Sequence, residues 1–357
     1  MMEEQQSKRP FPDFFLVGAP RCGTTAMSKY LSRNPQICFS KPKEPHFFSM
    51  LRREAPGLEI QADYIQQFFP HCSDSHRVWG EGSVSYLYYP AAIQAIQAEN
   101  PAAKFIVMVR RPADLLYSYH ARLLAVLEED EKDFFTAWNL QQARAEGKRL
   151  PSHCHDPHLL QYTEVGMLGK WLEQLFDLAG RSHCLVIVHD DFVNDTRGAY
   201  LQVLEFLGVE DDGRTEFPRA ESNKYIRFRW LQRLLKRPPR GLVSFVKTME
   251  QQKKRKKRKK TRWMRIRKWL IKSNKVETER PAVDPRMAVL MKEAFAEDVR
   301  KLGQLLDRDL SHWVWSIGCF FPFFGRWRWC RIIPPVLCGP PAVPRQPRLI
   351  QRMAPWA

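Results

Sequence analysis

The 357-residue sequence has no stretch of about 18 uninterrupted apolar residues, the length a spanning helix needs, so no membrane-crossing helix is expected. Its opening, MMEEQQSKRPFPD, holds no apolar run able to serve as signal or anchor. A cytoplasmic location is the expectation, with peripheral attachment to a membrane as an option. The eight cysteines (Cys22, Cys38, Cys72, Cys154, Cys184, Cys319, Cys330 and Cys338) form no C-x-x-C pair and no metal-ligand spacing. Scattered reduced thiols are the reading, and a structural metal is not expected. Acidic residues are missing from two segments. Residues 253–272 carry 13 Lys/Arg and residues 314–357 carry 6 Arg. These two segments account for the net charge of +18 and leave the remainder close to neutral. No internal repeat is found.

What is there reads as an α/β protein. A hydrophobic content of 44% supports a sizeable core, and the length suits one large domain or two small ones. FFLVGA, FIVMVR (105–110) and CLVIVHDD (184–191) are short apolar runs expected as buried parallel strands, with a weaker strand near RVWGEGS. Between them TTAMSKYLSRN, ADLLYSYHARLLAVL, residues 158–178 and RGAYLQVLEFLG read as helices, the last stopped by Gly208. Alternating β and α elements imply a central parallel sheet flanked by helices. Past about residue 238 the pattern changes to RPPRG, KKRKKRKK and the basic, partly apolar RWMRIRKWLIK. An amphipathic helix then returns over 285–310, and a tail rich in Pro, Trp and Arg closes the sequence.

The stretch FFLVGAPRCGTTAMSKYL (14–31) spaces Gly18 and Gly23 as in the nucleotide loop G-x-x-x-x-G-K-[ST], with Thr25 at the hydroxyl position. The lysine of that loop is missing. Thr24 stands there, and the nearest cation, Arg21, sits inside the loop. A helix N-terminus offers unpaired N–H groups and the positive end of its dipole, so an oxyanion is the expected ligand. The N–H groups of Gly23, Thr24 and Thr25 would form the cradle; a plain strand-to-helix turn is the alternative. Two further features raise the functional reading. KPKEPHFF (41–48) puts an acid and an imidazole two apart, and VRRPADLLYSYH puts Arg110 at a strand end and Ser118 in the next helix. In parallel sheets the strand ends converge on one crevice.

The three motifs in this order resemble the sulfotransferases that use 3′-phosphoadenylyl sulfate (PAPS). GAPRCGTTAMSKYL is similar to their 5′-phosphosulfate loop, and Arg110, Pro112 and Ser118 to their 3′-phosphate motif R-x-P-x(5)-S. Lys43 to Phe48 is similar to the K-E-x-H-F-F pattern of the carbohydrate branch typified by heparan sulfate O-sulfotransferases. LVIVHDDFVND, YLQVLEFLGV and VRKLGQLLDRDLSHW resemble bacterial members. The resemblance covers roughly residues 12 to 313 apart from the basic segment. It implies a P-loop-like three-layer α/β fold over residues 13–313 with a polybasic insertion at about 247–275. A polar extension (1–12) would precede it and the tail (314–357) follow. There are departures: Arg21 replaces the usual lysine, Leu115 an arginine in the 3′-phosphate motif, and Gly82 a lysine of the heparan-type enzymes.

The resemblance implies a PAPS-dependent O-sulfotransferase acting on a hydroxyl of a carbohydrate, a glycan or glycolipid, with adenosine 3′,5′-bisphosphate as product and no metal. Glu44 would be the general base and His46 its orienting partner, while Arg21 neutralises the leaving phosphate. Arg21, Cys22, Gly23, Thr24, Thr25 and Ala26 would hold the donor's 5′ end, and Arg110 and Ser118 its 3′-phosphate, with Lys224 as a late contact. Acceptor choice is expected in the segments around 50–75, 128–157 and 225–280. The alternatives are a P-loop kinase or NTPase, or an inactive relative that binds polyanions or membranes. The basic segment 253–272 suits an anionic membrane surface or a polyanionic acceptor about equally, and nucleic acid less.

Overall fold

The computed structural model describes residues 11–49, 60–218, 224–226, 275–277 and 284–315, with the single positions 269 and 273. The polar N-terminal stretch to residue 10, almost all of the polybasic run and nearly all of the tail lie outside the described residues.

The run FFLVG forms β1 (Phe14–Gly18), and all of it is buried. A continuous apolar run without alternation is what a strand covered on both faces requires. β1 lies between β3 (Val78–Gly82) and β4 (Lys104–Val109); β2 (Ile37–Phe39) extends the sheet beyond β3, and β5 (Cys184–Val188) beyond β4. All pairings are parallel, and the spatial order is β2-β3-β1-β4-β5. The expected parallel sheet is therefore present. β2 was not anticipated, since three residues are too few to show a period. The carboxyl ends of β1, β3 and β4 lie side by side, and the two groups of side chains described below gather beyond them.

Two expected elements differ. The strand over 184–191 ends at Val188, because Asp190 and Asp191 fall in the first turn of a short helix, His189–Asn194, where acids suit the dipole. The single helix over 158–178 is broken into Tyr162–Gly166 and Leu168–Ala179. The second piece starts afresh because the Asp298 carboxylate accepts the N–H groups of Gly169 and Lys170, both at 2.8 Å. Asp298 belongs to the long helix Pro285–Leu305, which packs along Leu168–Ala179. Among the described residues, no helix is long and apolar enough to cross a membrane.

The cysteines require a correction. Cys38 in β2 and Cys72, beyond the helix Ile60–Phe68, form a disulfide with their Cα atoms 5.6 Å apart. Their sequence separation of 34 hides a proximity that only the return of the chain beside β2 creates. Closing a loop of that length removes unfolded-state entropy equivalent to about 3–4 kcal/mol. His71 stands within 4.8 Å of both sulfurs, a grouping with metal-ligand chemistry, but the disulfide consumes both thiols. Cys22, Cys154 and Cys184 are free.

Beyond residue 218, β6 (Lys224–Ile226) and β7 (Lys275–Glu277) pair antiparallel, Lys224 opposite Glu277. β6 runs near the helix Pro112–Val126. The residues that contain the polybasic run thus leave and return at one place.

Candidate active site

The turn after β1 delivers the helix Thr24–Leu31 through two left-handed residues, Arg21 at φ 65° and Gly23 at φ 100°. Gly23 is required for a second reason: a Cβ there would stand 3.0 Å from the Phe192 ring and 3.1 Å from the Met108 methyl. The turn leaves the N–H groups of Gly23, Thr24 and Thr25 at the open first turn of the helix. Thr24 and Ala26 are buried and Thr25 is exposed. Cys22 is fully buried and donates its thiol to the Pro20 carbonyl. Burial pushes that thiol up to about 12 against the pull of Arg110 and Arg21, so the side chain is inert and only its backbone faces the loop.

Arg110, directly after β4, donates Nη1 to the Arg21 carbonyl at 3.0 Å. Arg21 in turn donates Nε to Ser118 Oγ at 2.8 Å. Ser118 lies in the helix Pro112–Val126, whose first residue is proline, a residue preset for that position. Three residues nominated from separate motifs thus form one hydrogen-bonded chain. Leu115 is completely buried in the core. Lys224 contributes a described backbone in β6; its side chain lies outside the described residues.

The second group follows β2. The segment 40–46 is stitched to the end of β3: Ser40 N–H reaches the Gly80 carbonyl, Glu44 N–H the Gly82 carbonyl at 2.9 Å, and His46 N–H the Ser83 hydroxyl at 3.0 Å. Glu44 (φ 64°) and His46 (φ 55°) are both left-handed, a conformation that costs a side-chain-bearing residue about 1–2 kcal/mol. Such outliers persist where surrounding contacts over-determine them, often at functional sites. Here Phe47 and Phe48 anchor the segment, packing on Tyr64 with ring centroids 4.7 Å and 5.4 Å away.

Both oxygens of Glu44 are engaged. Oε1 accepts from the Lys43 ammonium at 2.6 Å, and Oε2 faces His46 Nε2 at 3.3 Å. The other imidazole nitrogen, Nδ1, is 2.7 Å from Ser85 Oγ, which also meets Ser49 Oγ at 2.9 Å. Burial pushes the Glu44 carboxyl up, but the His46 hydrogen bond and the Lys43 ammonium more than reverse this and hold it at about 2. The carboxylate is consequently ionised throughout the neutral range.

Behind this pair lies a polar network that the sequence reading did not nominate. Glu81 of β3 is completely buried; it accepts from Ser83 Oγ at 2.5 Å and from the Tyr64 hydroxyl. The Tyr86 hydroxyl accepts the Phe48 N–H at 3.2 Å. Burial raises the Glu81 carboxyl, opposed by the hydrogen bonds from Ser83, Tyr64 and Tyr86. A signal existed: Glu81 is a charged residue within the strand VWGEG, where a strand covered on both faces should be apolar.

Arg21, Arg110 and Ser118 therefore meet beyond β1 and β4, and Lys43, Glu44 and His46 meet beyond β3. Cations and open N–H groups on one side and an oriented carboxylate on the other are suited to holding an anion and accepting a proton. Comparison with known proteins bears on the family. A model described as "Sulfotransferase domain" matches residues 11–303. A crystal structure of a sulfotransferase from Alicyclobacillus acidocaldarius superposes with a TM-score of 0.59 at 25% identity, covering 85% of this chain and 98% of that one. Heparan sulfate glucosamine 3-O-sulfotransferase 6 of Homo sapiens is 27% identical over 205 residues, 57% of this chain and 54% of that protein. Carbohydrate sulfotransferase 15 of Mus musculus is 29% identical over 150 residues, 31% of this chain and 27% of that protein. The chain spans between about a quarter and about half the length of these two curated relatives. On the family match, reached independently of the hydrogen-bond geometry, this chain belongs to the sulfotransferase domain family.

Proposed function

We propose that this chain moves a sulfuryl group from PAPS to a hydroxyl group of a carbohydrate, with Glu44 as general base. The observation that carries the reading is the hydrogen-bonded chain Arg110–Arg21–Ser118, assembled from three segments at the carboxyl ends of β1 and β4. The donor set fits a bisphosphorylated nucleotide: two guanidinium groups, one buried hydroxyl and the open first turn of a helix. Bound there, PAPS supplies the sulfuryl group and leaves as adenosine 3′,5′-bisphosphate. Arg110 and Ser118 hold the 3′-phosphate. The N–H groups of Gly23 to Thr25 and the Thr24 and Thr25 hydroxyls hold the 5′ end, and Arg21 serves that end from a seat next to Ser118. Cys22 and Ala26 contribute backbone only, and Lys224 a later contact from β6.

Glu44 takes the proton of the acceptor hydroxyl. Ionised at neutral pH, its carboxylate can accept that proton as charge moves onto the nucleotide. His46, held by Ser85, fixes the orientation of the carboxylate. The names of two relatives, a carbohydrate sulfotransferase and a heparan sulfate glucosamine sulfotransferase, support a sugar acceptor. The polybasic segment is assigned to attraction of a polyanionic acceptor or an anionic membrane surface.

Ligand protection and turnover test this together. Adenosine 3′,5′-bisphosphate at 100 times its Kd should stabilise the protein by about 2.7 kcal/mol, and ATP with Mg²⁺ should not. Labelled PAPS should transfer its label to a sugar in a panel of glycans, glycolipids and phenols, and Glu44→Gln should lower the rate about 10²-fold or more. Protection by ATP instead, or full turnover in the variant, overturns the reading.

A further inference from the structure

We propose that Lys43 is a positioning residue of the transfer site, its ammonium clamping Oε1 of the base while its stem passes beside Gly82. The inference rests on Glu44 being the base, and it concerns a residue that the motif comparison leaves without a role. The geometry is specific. Lys43 is adjacent to Glu44 in sequence, and its Nζ stands 2.6 Å from Glu44 Oε1. A Cβ built on Gly82 would stand 3.6 Å from Lys43 Cε and 3.0 Å from the Phe39 ring. The lysine stem therefore lies over the Gly82 backbone, beside Phe39, and its ammonium turns back onto its neighbour's carboxylate. Gly82 also accepts the Glu44 N–H. One position in β3 thus holds the main chain of the base and lies beside the stem of Lys43.

Two clamps on separate oxygens define the plane of a carboxylate. His46 holds Oε2 at 3.3 Å, the longer contact, and Lys43 holds Oε1 at 2.6 Å, the shorter and charge-assisted one. Lys43 is also half-buried, 21% exposed in its side chain, so solvent screens the contact only in part. With the ammonium in place, the carboxylate keeps one orientation and stays ionised in acid. Among the described residues, the charged and titratable groups that act on Glu44 are Lys43 and His46 on its own segment, while Glu81 from β3, with Tyr64 and Tyr86 around it, acts on His46.

The test is the pH dependence of kcat/KM for sulfuryl transfer from PAPS in Lys43→Met, Lys43→Arg and the pair Lys43→Met/Gly82→Lys. Lys43→Met should lose about tenfold at neutral pH, a part of the ~10²–10⁴ that a positioned base contributes. Its acid limb should also move to higher pH, because a cation that holds the carboxyl down is gone. His46 and Glu81 are retained in every variant, so movement of the limb reports Lys43. Lys43→Arg should keep the wild-type limb, and the pair should recover activity by returning a cation from β3. If Lys43→Met folds poorly, judged by a lowered Tm without ligand, Lys43→Gln reads the same limb. A neutral variant with wild-type kcat/KM and an unmoved limb overturns the role of Lys43. Absence of transfer by the wild type, with every acceptor, overturns instead the reading on which it rests.

Discussion

Replacing Glu44 by glycine and, separately, by alanine should give two equally inactive proteins that differ in stability in an unusual order. At an ordinary position alanine is the more stable choice, by about 0.4–1 kcal/mol, because glycine has more unfolded-state freedom to lose. Glu44 is left-handed, with φ 64°, where a Cβ costs about 1–2 kcal/mol. Both substitutions delete the contacts to Lys43 and His46, so those losses cancel in the comparison. The balance leaves Glu44→Gly more stable than Glu44→Ala by about 0.5–1 kcal/mol. For a chain of 357 residues that is a difference of about 1 °C in Tm. Ser85, right-handed with φ −74° and ψ −25°, is the control, and there alanine should win. Paired urea and thermal denaturation measures both. If Glu44→Ala matches or exceeds Glu44→Gly, the segment is not held in a strained conformation and the argument that the fold sacrifices stability to aim this carboxylate fails.

Two further outcomes follow from buried charges. Glu81 has its carboxyl raised by burial, so the folded state binds its proton more tightly than the unfolded chain. The stability it contributes is full below the ordinary carboxylate range and declines as pH rises through the raised value. Glu81→Gln should remove that decline, so melts of variant and wild type should diverge in the variant's favour with rising pH; a pH-independent gap refutes the raised ionisation. Glu129 and Arg144 form a bidentate pair at 2.7 Å, both side chains fully buried, with the Tyr162 hydroxyl on the same carboxylate at 2.6 Å. Arg144→Met strands a buried carboxylate and should cost about 3–5 kcal/mol in urea unfolding, while Glu129→Leu/Arg144→Met should recover most of it. A single variant within about 1 kcal/mol of wild type would show that water reaches the pair.

The legible parts of this sequence were those that local chemistry dictates. β1, β4 and β5 are uninterrupted apolar runs, and the glycine turn followed by hydroxyl residues announced a helix N-terminus. The motif residues Arg21, Arg110 and Ser118 could be nominated, but not the bond from Arg21 to Ser118 across 97 positions. Similarly, Glu44 and His46 were visible as a pair, whereas Ser85 and Ser83 reach them only through parallel pairing of β2 with β3. The contact of Lys43 with Gly82 and the bridge from Cys38 to Cys72 share that origin. Each depends on register between segments far apart in the chain, which composition and periodicity do not encode.

The antiparallel pairing of β6 with β7 has a bearing on how such a chain changes over generations. Where the two feet of an insertion already touch, lengthening it adds only a slow logarithmic closure cost, about 0.6 kcal/mol for each doubling. The pairing of Lys224–Ile226 with Lys275–Glu277 thus closes the chain at one point outside the five-stranded sheet, whatever length runs between the two strands. The strand pair behaves as a graft union: what it joins can vary in length at little entropic cost to the sheet.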